Sequence, residues 1–428
     1  MKKLLLIFIC IVLNLASNAQ ISDNYFRNEN YKSVVEIDGS YEFNSNSITN
    51  KFLNNYMYGS HIDSLSKLWM FRELKQKNSF GSDYESGLSF LFCPDTLFGE
   101  TGMGIFIKYN MYNHVDISFS DDLFKLFFDG NKSYAGKNAD LSHSSLNVLI
   151  YDQMQFGIQT KFGEGSFKHT FGIGVSINNG YQNTRINIKN GSLYTDANAE
   201  YLDFSANYEV SVSDTSHTWF WLGTFKGLGT SVNLYYSFKT KKNNCFDFQI
   251  TDFGFIRWNG QSRQFSKDTT IHFEGVNVTD ILNVEGNIFE NSNTDSIVHS
   301  YTFFDTTRPY TMPTPACLKI SYLYNFSEKI RTEFSVKQKF FVHYDPFFLL
   351  KAQFLPDKKN IISLNLSYGG YGGLNIREKH EINAGLGYSH DFGKGFILLA
   401  GSNYLNGFLF PYSMTAQGAF ISIKKYFF

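Results

Sequence analysis

Long apolar runs are missing from this chain. Beyond Leu4–Leu13 no stretch approaches the ~18 apolar residues that a spanning helix requires, which excludes helical passage through a bilayer. Proline is scarce, at 7 residues in 428. Cysteine is scarcer still. Apart from Cys10 there are Cys93, Cys245 and Cys317, too far apart for a disulfide framework or a metal knuckle. Neither sign of charge dominates, with 38 Lys and Arg against 39 Asp and Glu, so nucleic acid is not an expected partner. The ten histidines form no i, i+2 or i, i+4 pair, and neither a metal nor a cofactor is expected. No G-x-S-x-G is present, and His143-Ser144-Ser145 falls in an expected loop with nothing to orient it. The chain does not read as an enzyme, although a hydrolase assembling its groups from separate strands would carry no local motif.

Aromatic residues are abundant, with 45 Phe and 27 Tyr, while mean hydropathy is slightly negative at −0.23. A transmembrane β-barrel has this composition, because polar lumen residues dilute the lipid-facing ones and aromatics form the interfacial girdles. The first residues fit export. Lys2 and Lys3 precede the apolar run, and Ser17-Asn18-Ala19 offers small residues for cleavage before Gln20. The expected organisation is a signal peptide over 1–19 and one barrel domain over 20–428, placed in the outer membrane among its lipids.

Alternation with a period of two recurs along the chain, as expected of strands with one oily and one polar face. Val35, Ile37, Tyr41 and Phe43 alternate with Glu36, Asp38, Ser40 and Glu42. Met154, Phe156 and Ile158 alternate with glutamines, and Ile362, Leu364 and Leu366 with Ser363, Asn365 and Ser367. The fold class is therefore all-β, a transmembrane antiparallel barrel of 14–16 strands with short helices in long loops or in the lumen. Fifteen candidate strands start near 35, 84, 103, 147, 167, 201, 230, 245, 317, 329, 347, 361, 381, 395 and 416. Such barrels normally have an even count. Either one strand lies unseen within 213–229, around Trp219–Phe225, or a late candidate such as 395–403 is not separate. Long connections at one end and tight turns at the other set the orientation. Ser60–Lys75 and Asp121–Asn131 have helical spacing and read as a cap, or as a plug in the lumen.

Charged residues on the polar phase are candidate lumen or gate residues. Arg331, Glu333, Lys337 and Lys339 must face inward, since Lys or Arg facing lipid at mid-membrane costs about 2–4 kcal/mol. The row reads either as a selectivity feature or as cross-strand pairs that stiffen the wall. Cys245–Trp258 holds the second candidate. Its apolar phase of Phe246, Phe248 and Ile250 fails at Asp252, and a β-bulge at Asp252–Gly254 would turn Asp252 inward and Phe253 and Phe255 outward. Arg257 would share the outward phase unless it lies beyond the membrane edge, near the girdle where Trp258 belongs. The glycine pairs Gly172/Gly174 and Gly385/Gly387 lack the strand-to-helix turn of a phosphate loop and read as room for lumen neighbours or strand curvature. Tyr426-Phe427-Phe428 suits recognition by the barrel-assembly machinery during biogenesis.

NSFGSDYESGLSF (78–90), ISFSDDLFKLFFDGNKSYAGKNADLS (117–142) and TDFGFIRWNG (251–260) with HFEGVNV (272–278) resemble a domain-of-unknown-function family of outer-membrane barrels from Bacteroidota. More distantly the chain is similar to FadL-like hydrophobic-compound transporters, including barrel subunits attached to type IX secretion machinery. The resemblance implies fold, compartment and lineage, and assigns no activity. FadL-like proteins carry an N-terminal hatch, whereas only Gln20–Lys32 precedes the first strand here. Two functions are expected: a passive channel for a hydrophobic or amphipathic small molecule, occluded by Ser60–Lys75 or 259–316, or an interaction platform for a surface or type IX secretion complex whose protein partner the sequence does not name.

Overall fold

A computed structural model describes residues 31–163, 167–198, 200–214, 225–274, 307–374 and 382–428. The expected signal peptide and most of 213–229 lie outside these residues. Fourteen antiparallel strands close into a barrel among the described residues. They are β1 (Ser33–Ser45), β2 (Lys77–Phe92), β3 (Met103–Ser120), β4 (Ser144–Phe162), β5 (Lys168–Thr195), β6 (Gly227–Lys239) and β7 (Cys245–Trp258). The ring continues with β8 (Cys317–Asn325), β9 (Ile330–Lys339), β10 (Asp345–Phe354), β11 (Asn360–Gly370), β12 (Asn383–Gly393), β13 (Phe396–Ser402) and β14 (Ala416–Phe427). Each pairs with its neighbour in the chain, and β14 pairs with β1 from Ser33↔Phe427 to Asn44↔Ala416, leaving no open edge in the wall.

The alternation decides which way each side chain points. Ile37, Phe156, Val175, Leu364 and Phe334 are exposed on the outer face, while Glu36, Gln153, Gln155, Ser176, Asn365 and Glu333 are buried inside. An apolar exterior around a polar interior fits a barrel whose solvent is lipid, since the wall strands pair with one another round a closed ring.

The even count arises differently from either sequence alternative. The candidate near 201, Leu202–Val212, is not part of the wall, and 396–402 is. β5 runs for 28 residues and rises beyond its neighbours. Its upper half pairs with Leu202–Val212, which pairs in turn with Arg263–Phe273, forming a sheet that projects from the long-loop end. That polar alternation serves two water-exposed faces, so period alone could not place the strand.

Helices occupy the same end. α1 (Asn50–Met57) is capped by Thr49, and α2 (Ser64–Glu73) by Asp63, whose carboxylate accepts from Ser66 N at 2.7 Å. α3 (Asp121–Asp129) is capped by Ser120. Phe52, Met70, Phe119 and Phe124 pack them into a small aromatic core above the wall, with Phe52 5.5 Å from Phe124. Leu65, Leu68 and Trp69 of α2 remain exposed, so α2 is a cap component rather than a plug. A fourth helix, α4 (Leu405–Leu409), lies between β13 and β14.

Candidate functional site

The predicted bulge is present one residue earlier than expected. Val232 pairs with Phe253 and Leu234 with Ile250, so Thr251 and Asp252 stand opposite Asn233 alone. Asp252 adopts φ +58°, a left-handed conformation that Asp tolerates better than most residues. It is buried, and its carboxylate accepts from Gln153 Nε2 at 2.7 Å, while Asn233 Oδ1 accepts its backbone N–H at 2.7 Å. Phe253 and Phe255 turn outward. On the other edge the ladder breaks as well. Tyr310–Pro313 pairs with Phe255–Trp258, Thr314–Ala316 intervenes, and β8 starts with Cys317 opposite Thr251.

Arg257 follows Phe253 and Phe255 on the outer face and is exposed, away from the lumen. Trp258 is not in the girdle. It is wholly buried inside, 6.2 Å from the Tyr310 ring, over space left by Gly180 and Gly227.

The inward row of β9 is fully engaged. Lys339 pairs with Asp83 of β2, and Lys337 lies 3.7 Å from Glu42 of β1. These partners lie far round the ring, so the pairs cross the lumen as struts. Glu333 pairs with Lys351 of β10 at 3.8 Å, and Arg331 Nε donates to Gln353. On the opposite seam Lys424 lies 3.1 Å from Glu36. Such pairs, being desolvated, fix geometry more than they add stability.

Aromatic clusters pack inside the wall toward both ends. Near the short-turn end Tyr31, Val34, Leu91, Phe106, Tyr235 and Tyr426 meet across the lumen. At the long-loop end Tyr344, Phe347, Leu349, Tyr371, Tyr404 and Ala416 form one cluster, and Leu149, Tyr151, Ile256, Trp258, Tyr310 and Met312 another. Between them lies a chamber of about 200 Å³. Its walls carry the amides Asn110, Asn113, Gln153, Gln155, Asn233 and Gln249 beside Tyr112, Tyr151, Tyr235 and Phe347. Asp252, Lys337 and Lys339 line it, whereas Arg331 and Glu333 line a separate small crevice. The sequence candidates are thus divided: Asp252, Lys337 and Lys339 come together, Arg331 and Glu333 stand apart, and Arg257 is outside.

Two features were missed in the sequence. Asp83 and His114 sit on facing inward positions, with His114 Nδ1 2.7 Å from Asp83 Oδ1. Tyr371 lies in Gly369-Gly370-Tyr371-Gly372-Gly373, where Gly369, Gly370 and Gly373 all have positive φ. Its ring is buried in the notch of Gly81, where a Cβ would run into it. Ser79 Oγ donates to its carbonyl at 2.9 Å, but its own hydroxyl has no partner in the structure. The ring is therefore held by shape on a glycine-flanked loop. A tyrosine between two glycine pairs was the available signal.

No curated protein sequence matches this chain. Among solved structures it is similar to a TodX deletion mutant, a monoaromatic hydrocarbon channel, at 9% identity and TM-score 0.45, covering 97% of this chain and 96% of that one. It is also similar to the P. putida toluene transporter TodX at 8% identity and TM-score 0.42, covering 94% and 91%. A Pseudomonas aeruginosa FadL homologue gives 8% identity and TM-score 0.42, covering 92% and 89%. The fold assignment accordingly rests on the strand pairing described above. A family model matches residues 27–394, and the chain belongs to that family, DUF5723, a family of unknown function.

Proposed function

We propose that this protein is a non-enzymatic outer-membrane conduit for small amphipathic molecules, closed at rest and opened by displacement of Tyr371. The observation that carries the reading is the chamber itself, lying between aromatic clusters inside a lipid-facing barrel. Rings and amides on one wall suit a ligand with both apolar and polar parts better than a pure hydrocarbon. The ion-pair struts favour passage of single small molecules over bulk diffusion, because no wide aqueous bore is left between β9 and β1–β2. Uptake into proteoliposomes tests it: solute entry above protein-free vesicles supports the conduit, and none in wild type or in Tyr371→Gly rejects it.

A second reading, an interaction platform, is supported by the sheet of β5, Leu202–Val212 and Arg263–Phe273 that projects beyond the wall. Affinity purification from detergent-solubilised membranes separates the two; a partner near one-to-one yield favours the platform, and its absence counts against it.

A further inference from the structure

Apart from the conduit reading, and resting only on a barrel that spans a bilayer, we infer that the short-turn rim from β6 round to β13 is a docking surface for anionic phospholipids of the leaflet it faces. Lys241 and Lys242 lie in the turn 240–244, Lys329 in 326–329, Lys358 and Lys359 in 355–359, and Lys394 in 394–395. All are exposed, and none is ion-paired with a carboxylate among the described residues. The same stretches hold Glu328, Asp357 and Asp391. Two of these carboxylates are turned back on their own backbone. Asp357 accepts from the N–H groups of Lys359 and Asn360 at 2.7 and 2.8 Å, and Asp391 from Gly393 N at 2.7 Å. The rim therefore presents an excess of positive charge.

Its depth says what covers it. Phe238, Phe326, Phe354 and Phe392 end the outward phase of β6, β8, β10 and β12, and the last three are exposed. Aromatic rings at that level sit among lipid headgroups. A lysine only a few residues further on keeps its stem against apolar surface and brings its ammonium to the phosphate layer. A headgroup of net negative charge gains from that contact, whereas a zwitterionic one brings an ammonium of its own. An acidic soluble partner would match the charge and leave the aromatic ledge without a role. The β2–β3 turn interrupts the series with exposed Asp95 and Glu100, so the surface is an arc rather than a full ring.

Native mass spectrometry of the full chain released from a neutral detergent counts bound lipid. Phosphatidylglycerol and phosphatidylethanolamine with the same acyl chains are titrated onto wild type and onto two quadruple variants of equal charge change. One is K241Q/K242Q/K358Q/K359Q at the rim. The other is R72Q/K77Q/K132Q/K137Q, four exposed positions at the long-loop end. Wild type should bind phosphatidylglycerol about tenfold tighter, the contribution of the one or two lysines that a single headgroup reaches. The rim variant should lose most of that preference and keep its phosphatidylethanolamine affinity within about twofold. K241R/K242R/K358R/K359R should retain the preference, and the long-loop variant should match wild type. Heat-modifiable migration confirms that each variant is folded. Equal affinity for the two lipids in wild type, or equal losses in the rim and long-loop variants, overturns the inference. Displacement of bound phosphatidylglycerol by polyglutamate at matched charge also overturns it and assigns the rim to an acidic soluble partner. Solute uptake is a separate readout, so this inference and the conduit can each fail without the other.

Discussion

Asp252 shows how one residue reverses the parity of a strand. Its left-handed backbone would be strained for most residues, and it is retained by the hydrogen bonds from Gln153 and to Asn233. Asp252→Ala loses the acceptor and keeps the strain, and should cost about 2 kcal/mol in urea unfolding. Asp252→Gly relieves the strain and should cost less, and Asp252→Asn, which tolerates the conformation and still accepts from Gln153, should be nearly neutral. A cost independent of the substituent would contradict this ordering. A second residue-scale prediction concerns the projecting sheet. The carboxylate of Asp203, 2.5 Å from His272 Nδ1, raises the imidazole above its ordinary value, with Glu274 adding to the effect. A raised value in the folded state means that the contact's stabilisation is complete below the free-imidazole range and is lost as pH climbs through the raised one. NMR titration of His272 should therefore give a midpoint above that of free histidine, and Asp203→Asn should bring it down. An unchanged midpoint in that variant would remove the assigned cause.

At the scale of elements, the helices and the Tyr371 loop occupy the same end but differ in what they touch. α1, α2 and α3 pack on one another above the wall, whereas Tyr371 enters it. Replacing 50–73 by a short linker should leave proteoliposome uptake within about twofold of wild type, while Gly81→Leu, which fills the notch and expels the ring, should raise it severalfold. The reverse pattern would make the cap the gate. The contrast also marks how far sequence patterns reach. Period-two alternation reveals wall strands because lipid and polar lumen demand opposite residues on the two faces, and it located the parity break at Asp252. It could not tell Leu202–Val212 from a wall strand, since alternation says nothing of height above the membrane. α1 escaped notice although Phe52, Leu53, Tyr56 and Met57 of NKFLNNYM stand at helical spacing, because eight residues are barely two turns and too short for the stripe to repeat.

The molecule as a whole is a ring held together by its seam and by struts through its lumen. The strut partners Lys339 and Asp83 are 256 residues apart, and nothing local announces such a pair. That the charged row on β9 faces inward was legible; whom each member meets depends on closure of the ring. Lys339→Met leaves Asp83 buried with one partner fewer and should cost about 3–5 kcal/mol, most of it recovered when Asp83→Asn is added. Additive losses in that double-mutant cycle would mean the strut is not an interacting pair.

A small-molecule conduit closed by Tyr371 must pass solute faster once that ring is removed. Cyclohexanol uptake into proteoliposomes, compared among wild type, Tyr371→Gly and protein-free vesicles at equal lipid, tests it most directly. Entry should exceed the protein-free background in wild type and be severalfold faster in Tyr371→Gly. Uptake at background in both would contradict it.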